Sequence, residues 1–233
     1  MMYTISKNLK LTSIILMVIG FIGLTYGFLA APSNIEEALK MYPEYGHSPN
    51  EVVKVSDRPN DTGFYDQQDE IHKEHLLHKL QNRPWAALYV AALFFFFISL
   101  GTIAFYAIQR ASQSGWSPVL YRVMEAITAY LLPGGIVVFV ILFLSCLHFN
   151  HLFIWMDADV VAEDKIIRDK VGYLNIPFFL ARALFFIFGW ALYRYFSRKF
   201  SLAQDKAKDI VNHKRNFRIS AAFLVFYIVT ESI

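Results

Sequence analysis

The fold is decided by residues 85–108, which read WAALYVAALFFFFISLGTIAFYAI and contain no charged side chain. At about 1.5 Å of rise per residue, a helix of this length crosses the roughly 30 Å hydrocarbon core of a bilayer. In lipid, a helix satisfies the backbone N–H and C=O groups of a single segment internally. The stretch therefore predicts a transmembrane helix.

Three further apolar runs have comparable length, at residues 11–31, 127–149 and 176–196, and a fifth begins at Phe217. Within the third run, Pro133-Gly134-Gly135 predicts a kink. We predict an all-α fold: a polytopic transmembrane helical bundle with four complete spans, the start of a fifth and a four-helix-bundle core. The composition agrees, because 56% of the residues are hydrophobic and only 18% are charged. Little remains for a large soluble domain.

The predicted organisation has three parts: an N-terminal anchor helix over 1–31, an external loop over 32–84, and a bundle over 85–233. The first run is too long for a cleaved signal and lacks a small-residue cleavage motif, so we expect it to persist as an anchor. The external loop combines a Pro- and Asp-rich stretch with a short interfacial helix over 69–80.

Lysine and arginine are concentrated in the loops on one side of the predicted spans, above all in residues 197–216. Short basic loops mark the cytoplasmic side of a membrane. We therefore predict a cytoplasmic N-terminus and an external 32–84 loop. The net charge of +3 follows from this topology, so lipid is a predicted partner and nucleic acid is not.

Few residues are suited to hold a metal. The single cysteine, Cys146, lies in the third span and excludes both an intramolecular disulfide and a cysteine-ligated cluster within this chain. His72, His75 and His78 recur every third residue, which spreads them over about 120° of a helix. That spread is too broad for one tetrahedral ion unless another segment supplies ligands. We predict no metal site, and interpret this segment as a short interfacial helix.

Polar side chains form a stripe on one face of the second span, at Ser99, Thr102, Tyr106 and Gln109. Such a face should point into the bundle. Glu125 lies near the cytoplasmic entrance of the third span, with Arg122 one turn earlier and Tyr130 further in. As a carboxylate at the entrance, Glu125 is a candidate to load protons onto the stripe. The alternatives are hydroxyls that bond nearby carbonyls and an ordinary interfacial Arg122–Glu125 ion pair.

A second set of ionisable residues is predicted near the outer face. Arg182 lies about 9 Å inside the fourth span and needs a partner, because an unpaired arginine at that depth costs several kcal/mol. The candidates are Asp157, His148 and Glu231. His148 and His151, three residues apart, would share one helical face. Glu231, Arg182 and His148 are predicted to form a proton exit, and a structural Arg–Glu clamp is the alternative.

Several motifs are typical of one membrane-protein family: LQNRPWAALYV at 80–90, AIQRA at 107–111, GWSP at 115–118, LLPGG at 131–135 and HFNHLFIWMD at 148–157. With them the chain resembles the NrfD or polysulfide-reductase-C-like family, and most closely the F-type membrane subunit of bacterial alternative complex III, a quinol:cytochrome c oxidoreductase. Members are about twice as long and contain two four-helix bundles, so we expect this chain to be the N-terminal part of a longer one.

The resemblance implies a multi-pass protein of the bacterial inner membrane that is not catalytic alone. Partner subunits would carry iron–sulfur clusters and c-type haems, and a related subunit would bind quinol. The resemblance assigns no cofactor to this chain, leaves open whether it binds a quinone, and implies that it supplies proton half-channels. Quinol sites in the family use His, Asp and Arg near the outer surface, which are the residue types of His148, His151, Asp157 and Arg182.

Three functions remain open from the sequence. The first is a proton-conducting subunit with an entrance at Glu125 and Arg122 and an exit at the outer cluster. The second is a quinol-binding subunit, in which His148 accepts a proton and Asp157 or Glu231 orients the ring. The third is a structural anchor for peripheral redox subunits.

Overall fold

In the computed structural model of the protein, the described residues are 6–42, 62–156, 161 and 165–232, with 62–72, 75 and 154 described by backbone alone. Their α-helices are α1 (Lys7–Leu29), α2 (Ile35–Met41), α3 (Thr62–Ala111), α4 (Tyr121–Ile127), α5 (Leu131–Cys146), α6 (Lys165–Arg168), α7 (Ile176–Gln204) and α8 (Val211–Ser232). Short 3₁₀ turns occupy Ser117–Val119, Thr128–Tyr130 and Ile154–Met156.

Four segments are long and apolar enough to cross a membrane. They are Lys7–Leu29, Leu76–Ala111, Tyr121–Cys146, which joins α4 to α5, and Ile176–Gln204. They confirm the predicted all-α polytopic architecture. Helix α8 covers the predicted start of a fifth span but is not among these segments.

The chain divides into two compact units. Unit 1 comprises Met1–Leu88 with Asn150–Leu152, and unit 2 comprises Tyr89–Phe149 with Phe153–Ile233.

In unit 1, helix α1 has no buried residue. Its C-terminal end meets α3, where the ring of Phe28 contacts Trp85 edge to face with centroids 5.0 Å apart. Gly27 lies beside Pro84, and a Cβ on Gly27 would sit 3.6 Å from the Cβ of that proline. The rest of α1 presents apolar side chains outward, as expected of a helix surrounded by lipid.

Helix α2 packs on the N-terminal part of α3 through a small core of Ala38, Leu76 and Leu80. The carboxylate of Glu37 accepts hydrogen bonds from the backbone N–H and the hydroxyl of Ser33, at 2.9 and 3.0 Å. These bonds, the backbone one first, lower the pKa of Glu37. The charged form also suits the N-terminal half of a helix dipole.

The predicted short helix over 69–80 is the first part of α3, which continues through Pro84 into the span. Pro84 has no N–H to give to the carbonyl of Leu80, so α3 lacks one internal bond there. Gly27 of α1 lies beside this point of the helix, next to the Pro84 ring.

In unit 2, the irregular turn of the third span lies at Thr128–Tyr130, just before the predicted kink. Pro133 falls in the first turn of α5, where a missing N–H costs little. In the 3₁₀ turn the N–H of Leu131 bonds the carbonyl of Thr128, and the carbonyl of Ile127 accepts a hydrogen bond from Ser99 Oγ at 3.1 Å.

Glycines let the helices of unit 2 approach closely. A Cβ on Gly135 in α5 would lie 2.8 Å from Ile187 Cγ2 of α7, and one on Gly189 in α7 would overlap the Phe226 ring of α8. Gly101 in α3, in contrast, has no such neighbour within 4 Å.

We therefore expect Gly189→Val to lower the free energy of unfolding by about 1–3 kcal/mol through overpacking between α7 and α8. Gly101→Val introduces the same side chain into open space and serves as the control. Thermal unfolding of the purified variants in one detergent measures the difference. Equal midpoints for the two variants would contradict this packing.

Candidate functional site

The most buried carboxylate of the described residues in unit 2 is Glu125 of α4, which is 7% exposed. Its Oε1 accepts a hydrogen bond from the hydroxyl of Tyr106 in α3 at 3.1 Å. Its Oε2 accepts one from Arg122 Nη1 at 2.7 Å. The structure thus brings together three residues of the predicted proton path, and it forms the Arg122–Glu125 ion pair that was the structural alternative.

Arg122 also pairs through Nη2 with Asp205, the residue that follows α7. The side chains become progressively less exposed along this line: 59% for Asp205, 44% for Arg122 and 8% for Glu125. A charged path therefore leads from the protein surface to the buried carboxylate.

Arg110 of α3 extends the network on the other side of Tyr106. Its Nε donates to the Tyr106 hydroxyl at 3.1 Å, and its Nη2 donates to Ser201 Oγ of α7 at 3.0 Å. The guanidinium lies 3.8 Å from the ring centre of Tyr121. Arg110 is buried and pairs with no carboxylate among the described residues, so cation–π contact and neutral acceptors compensate its charge.

The available donors determine the direction of each hydrogen bond from Arg110 through Tyr106 to Glu125. Arg110 has only hydrogens to offer, so Tyr106 accepts from it and uses its own hydrogen for Glu125. The buried network thus ties α3, α4 and α7 together at one end of unit 2.

The predicted polar stripe on α3 is only partly realised. Ser99 and Tyr106 are buried, but the Thr102 hydroxyl donates to its own helix, at the Ile98 carbonyl, 2.7 Å away. Thr102 lines an open apolar groove of about 440 Å³ between α3 and α4. Thr102 therefore does not extend a buried polar path, and for Ser99 and Thr102 the alternative holds, in which the hydroxyls bond nearby carbonyls.

Tyr130 also lies apart from Glu125. It is 39% exposed, and its ring contacts Phe95 with centroids 6.3 Å apart. Its hydroxyl makes no hydrogen bond within the described part of the chain.

A polar ladder between α7 and α8 was not predicted. Its rungs are Trp190 Nε1 to Thr230 Oγ1 (3.2 Å), Tyr193 hydroxyl to Ser220 Oγ (2.8 Å) and Ser197 Oγ to Asn216 Oδ1 (2.7 Å). Asn216 Nδ2 returns a bond to the Ser197 carbonyl at 3.1 Å. The signal in the sequence was a row of polar residues three and four apart on α7, at Trp190, Tyr193 and Ser197, and a pair four apart on α8, at Asn216 and Ser220.

A small cavity separates the Glu125 network from this ladder. It has about 10 Å³ of room for the centre of a water molecule. Its lining comes from α3, α4, the following turn and α7: Ile103, Tyr106, Glu125, Thr128, Tyr193, Arg194, Ser197 and Arg198.

The structure does not join Arg182 to the partners predicted for it. The Arg182 guanidinium lies 3.9 Å from the ring centre of Tyr173. No ion pair or hydrogen bond connects it to His148 or Glu231 among the described residues, and Asp157 lies outside them. Glu231 is exposed at the end of α8.

His148 lies beyond α5, which ends at Cys146. The N–H of His148 bonds the Ser145 carbonyl and that of Phe149 bonds the Leu144 carbonyl, each at 3.1 Å. This is a Schellman ending, in which the residue at the position of His148 adopts left-handed backbone, and its φ is 60°. The prediction that His148 and His151 share a helical face was wrong, because the helix ends before both.

His151 belongs to unit 1, where it is tied to α3. Asn82 Nδ2 donates to its carbonyl and its N–H donates to Asn82 Oδ1, both at 2.9 Å. Its ring contacts His78 edge to face, with centroids 4.3 Å apart. The side chains of His72 and His75 lie outside the described residues, and the described ones contain no group of three metal-binding side chains.

Comparison of the sequence with protein-family models and with curated proteins finds no match.

Arg122 should contribute more to stability than Asp205. Arg122→Gln leaves the Glu125 carboxylate buried without its cation, whereas Asp205→Asn removes only the exposed half of the bridge. We expect Asp205→Asn to change the free energy of unfolding by no more than about 1 kcal/mol, and Arg122→Gln to cost clearly more. Thermal unfolding of both variants tests this order, and a reversed order would contradict it.

The left-handed backbone conformation at His148 leads to a separate prediction. Because φ is positive there, His148→Gly should be more stable than His148→Ala by about 1 kcal/mol. At Cys146, inside α5, the order should be reversed, since glycine is about 1 kcal/mol worse than alanine in a helix. Unfolding midpoints of the four variants give the comparison, and the same order at both positions would contradict the Schellman ending.

Proposed function

We propose that this chain is an integral membrane subunit of a quinol:cytochrome c oxidoreductase of the alternative complex III type, and that it conducts protons through Glu125. The resemblance of its motifs supports the respiratory context, and the surface-to-interior line from Asp205 through Arg122 to Glu125 supports the proton role.

A carboxylic acid in a membrane bundle is a group that can bind and release a proton away from bulk water, and such residues mark functional paths by default. Glu125 is buried, yet it is connected to the surface through Arg122 and Asp205. It is also hydrogen-bonded inward through Tyr106. A proton carrier requires both connections.

A purely structural clamp would need only the Arg122–Glu125 pair. The additional buried partners, Tyr106 and Arg110, place further hydroxyl and cationic groups beside the carboxylate. Buried polar networks of this kind are costly unless every member is satisfied.

The outer residues give less support to a quinol site in this chain. In unit 2, Arg182 and His148 share no hydrogen bond among the described residues, and His148 is exposed at a helix end. Within the described part of unit 2, no two of the His, Asp and Arg residues predicted for a quinol site form a hydrogen bond with each other. We therefore assign no step of the proposed role to a bound quinone.

The test compares Glu125→Gln with wild type in the purified complex reconstituted into liposomes. Glutamine keeps the shape and the hydrogen bond from Tyr106 but carries no exchangeable acid proton. We expect proton movement to fall by about 100-fold, with quinol:cytochrome c electron transfer retained. Asp209→Asn removes an exposed acid from the loop before α8 and is the matched control.

Unchanged proton movement in Glu125→Gln would contradict the proposal and leave the structural anchor. Loss of electron transfer together with proton movement, in a complex with full subunit content, would also contradict it and favour a quinol site.

A further inference from the structure

The cavity beside Glu125 has the size and the lining of a site for one water molecule. A polar cavity needs about 10–15 Å³ of room for the water centre and two to four polar partners, and this one offers about 10 Å³. Three of its lining residues, Glu125, Tyr193 and Ser197, carry side-chain oxygen atoms that can serve as polar partners.

Arg194 supplies the strongest reason to expect a ligand there. Its Nε is buried and has no hydrogen-bond partner within the described part of the chain, and Arg194 lines the cavity. A buried donor left unpaired is costly, most of all on a charged group. An oxygen acceptor placed in the cavity would remove that cost.

The hydrogen-bond directions also leave an acceptor open at Tyr193, another residue that lines the cavity. Ser220 Oγ donates its one hydrogen to the Asn216 carbonyl at 2.8 Å. The 2.8 Å bond between Ser220 and Tyr193 is therefore donated by Tyr193. The Tyr193 oxygen keeps its lone pairs free to accept.

We propose that this cavity binds a single internal water, which accepts from Arg194 Nε–H and donates to Glu125 and to the Tyr193 oxygen. The inference rests on the proposed function, because it makes the water the next hydrogen-bonded position after Glu125. The network then continues into the ladder between α7 and α8 rather than along Thr102 of α3.

Ser197→Thr tests the site with the smallest change. Threonine keeps the hydroxyl that donates to Asn216 Oδ1, and its extra methyl group takes up the room for the water. Ser145→Thr adds the same methyl at a buried serine of α5 outside the cavity. Arg194→Lys keeps the charge but removes the Nε donor, so it tests the site independently of packing.

The measurement is brief X-ray radiolysis of the complex in lipid nanodiscs equilibrated with H₂¹⁸O, followed by mass spectrometry of the peptides that contain Tyr106 and Tyr193. Hydroxyl radicals formed from a bound water label the side chains beside it. We expect ¹⁸O incorporation at one or both tyrosines in wild type and in Ser145→Thr, and its loss in Ser197→Thr and Arg194→Lys.

Absence of the label in wild type, or its persistence in both Ser197→Thr and Arg194→Lys, would overturn the water site. This readout does not depend on proton transport. If the label is absent while Glu125→Gln still blocks proton movement, the water is wrong and the proposed function stands. If the label is present while Glu125→Gln conducts protons normally, the water stands and the proposed function is wrong.

Discussion

A carboxylate removed from water must be compensated by its neighbours, and in this protein the compensation of Glu125 holds one end of unit 2 together. Arg122 from the same helix supplies the charge, and Tyr106 from α3 supplies a hydrogen bond. Arg122 has a further partner in Asp205, just after α7. Tyr106 is connected through Arg110 to Ser201 of α7. The geometry of three helices is thus linked to one buried charge, whose desolvation would otherwise cost several kcal/mol.

The pairing of α7 with α8 follows a different rule of the bilayer. Lipid tails are as apolar as leucine, so burial of apolar side chains contributes little to helix association there, and close approach and polar contacts contribute more. Both are present along this interface. Gly189 makes room for Phe226, Tyr193 stacks on Phe223 with ring centres 3.9 Å apart, and three hydrogen-bonded rungs fix the register.

The sequence was sufficient for properties that depend on one segment at a time. Length and apolarity predicted the four spans, and helical spacing predicted the Arg122–Glu125 pair and the inward face of Tyr106. The sequence was insufficient for contacts between residues that are far apart along the chain. Asp205 follows α7, and no local pattern connects it with Arg122, which lies 83 residues earlier. Apolarity also placed the end of the third span at residue 149, although α5 ends at Cys146, because a Schellman turn can carry apolar residues such as Phe149.

The bridge at Arg122 bears on how a buried acid could change charge without disrupting the bundle. When one member of a buried ion pair is neutralised, the other is left uncompensated, which strongly destabilises the fold. Arg122 avoids this because it contacts two carboxylates on different segments. If Glu125 takes up a proton, Arg122 keeps Asp205, which is largely exposed and well solvated. Asp205 can therefore stabilise the arginine in both charge states of Glu125, as the proposed proton uptake by Glu125 requires.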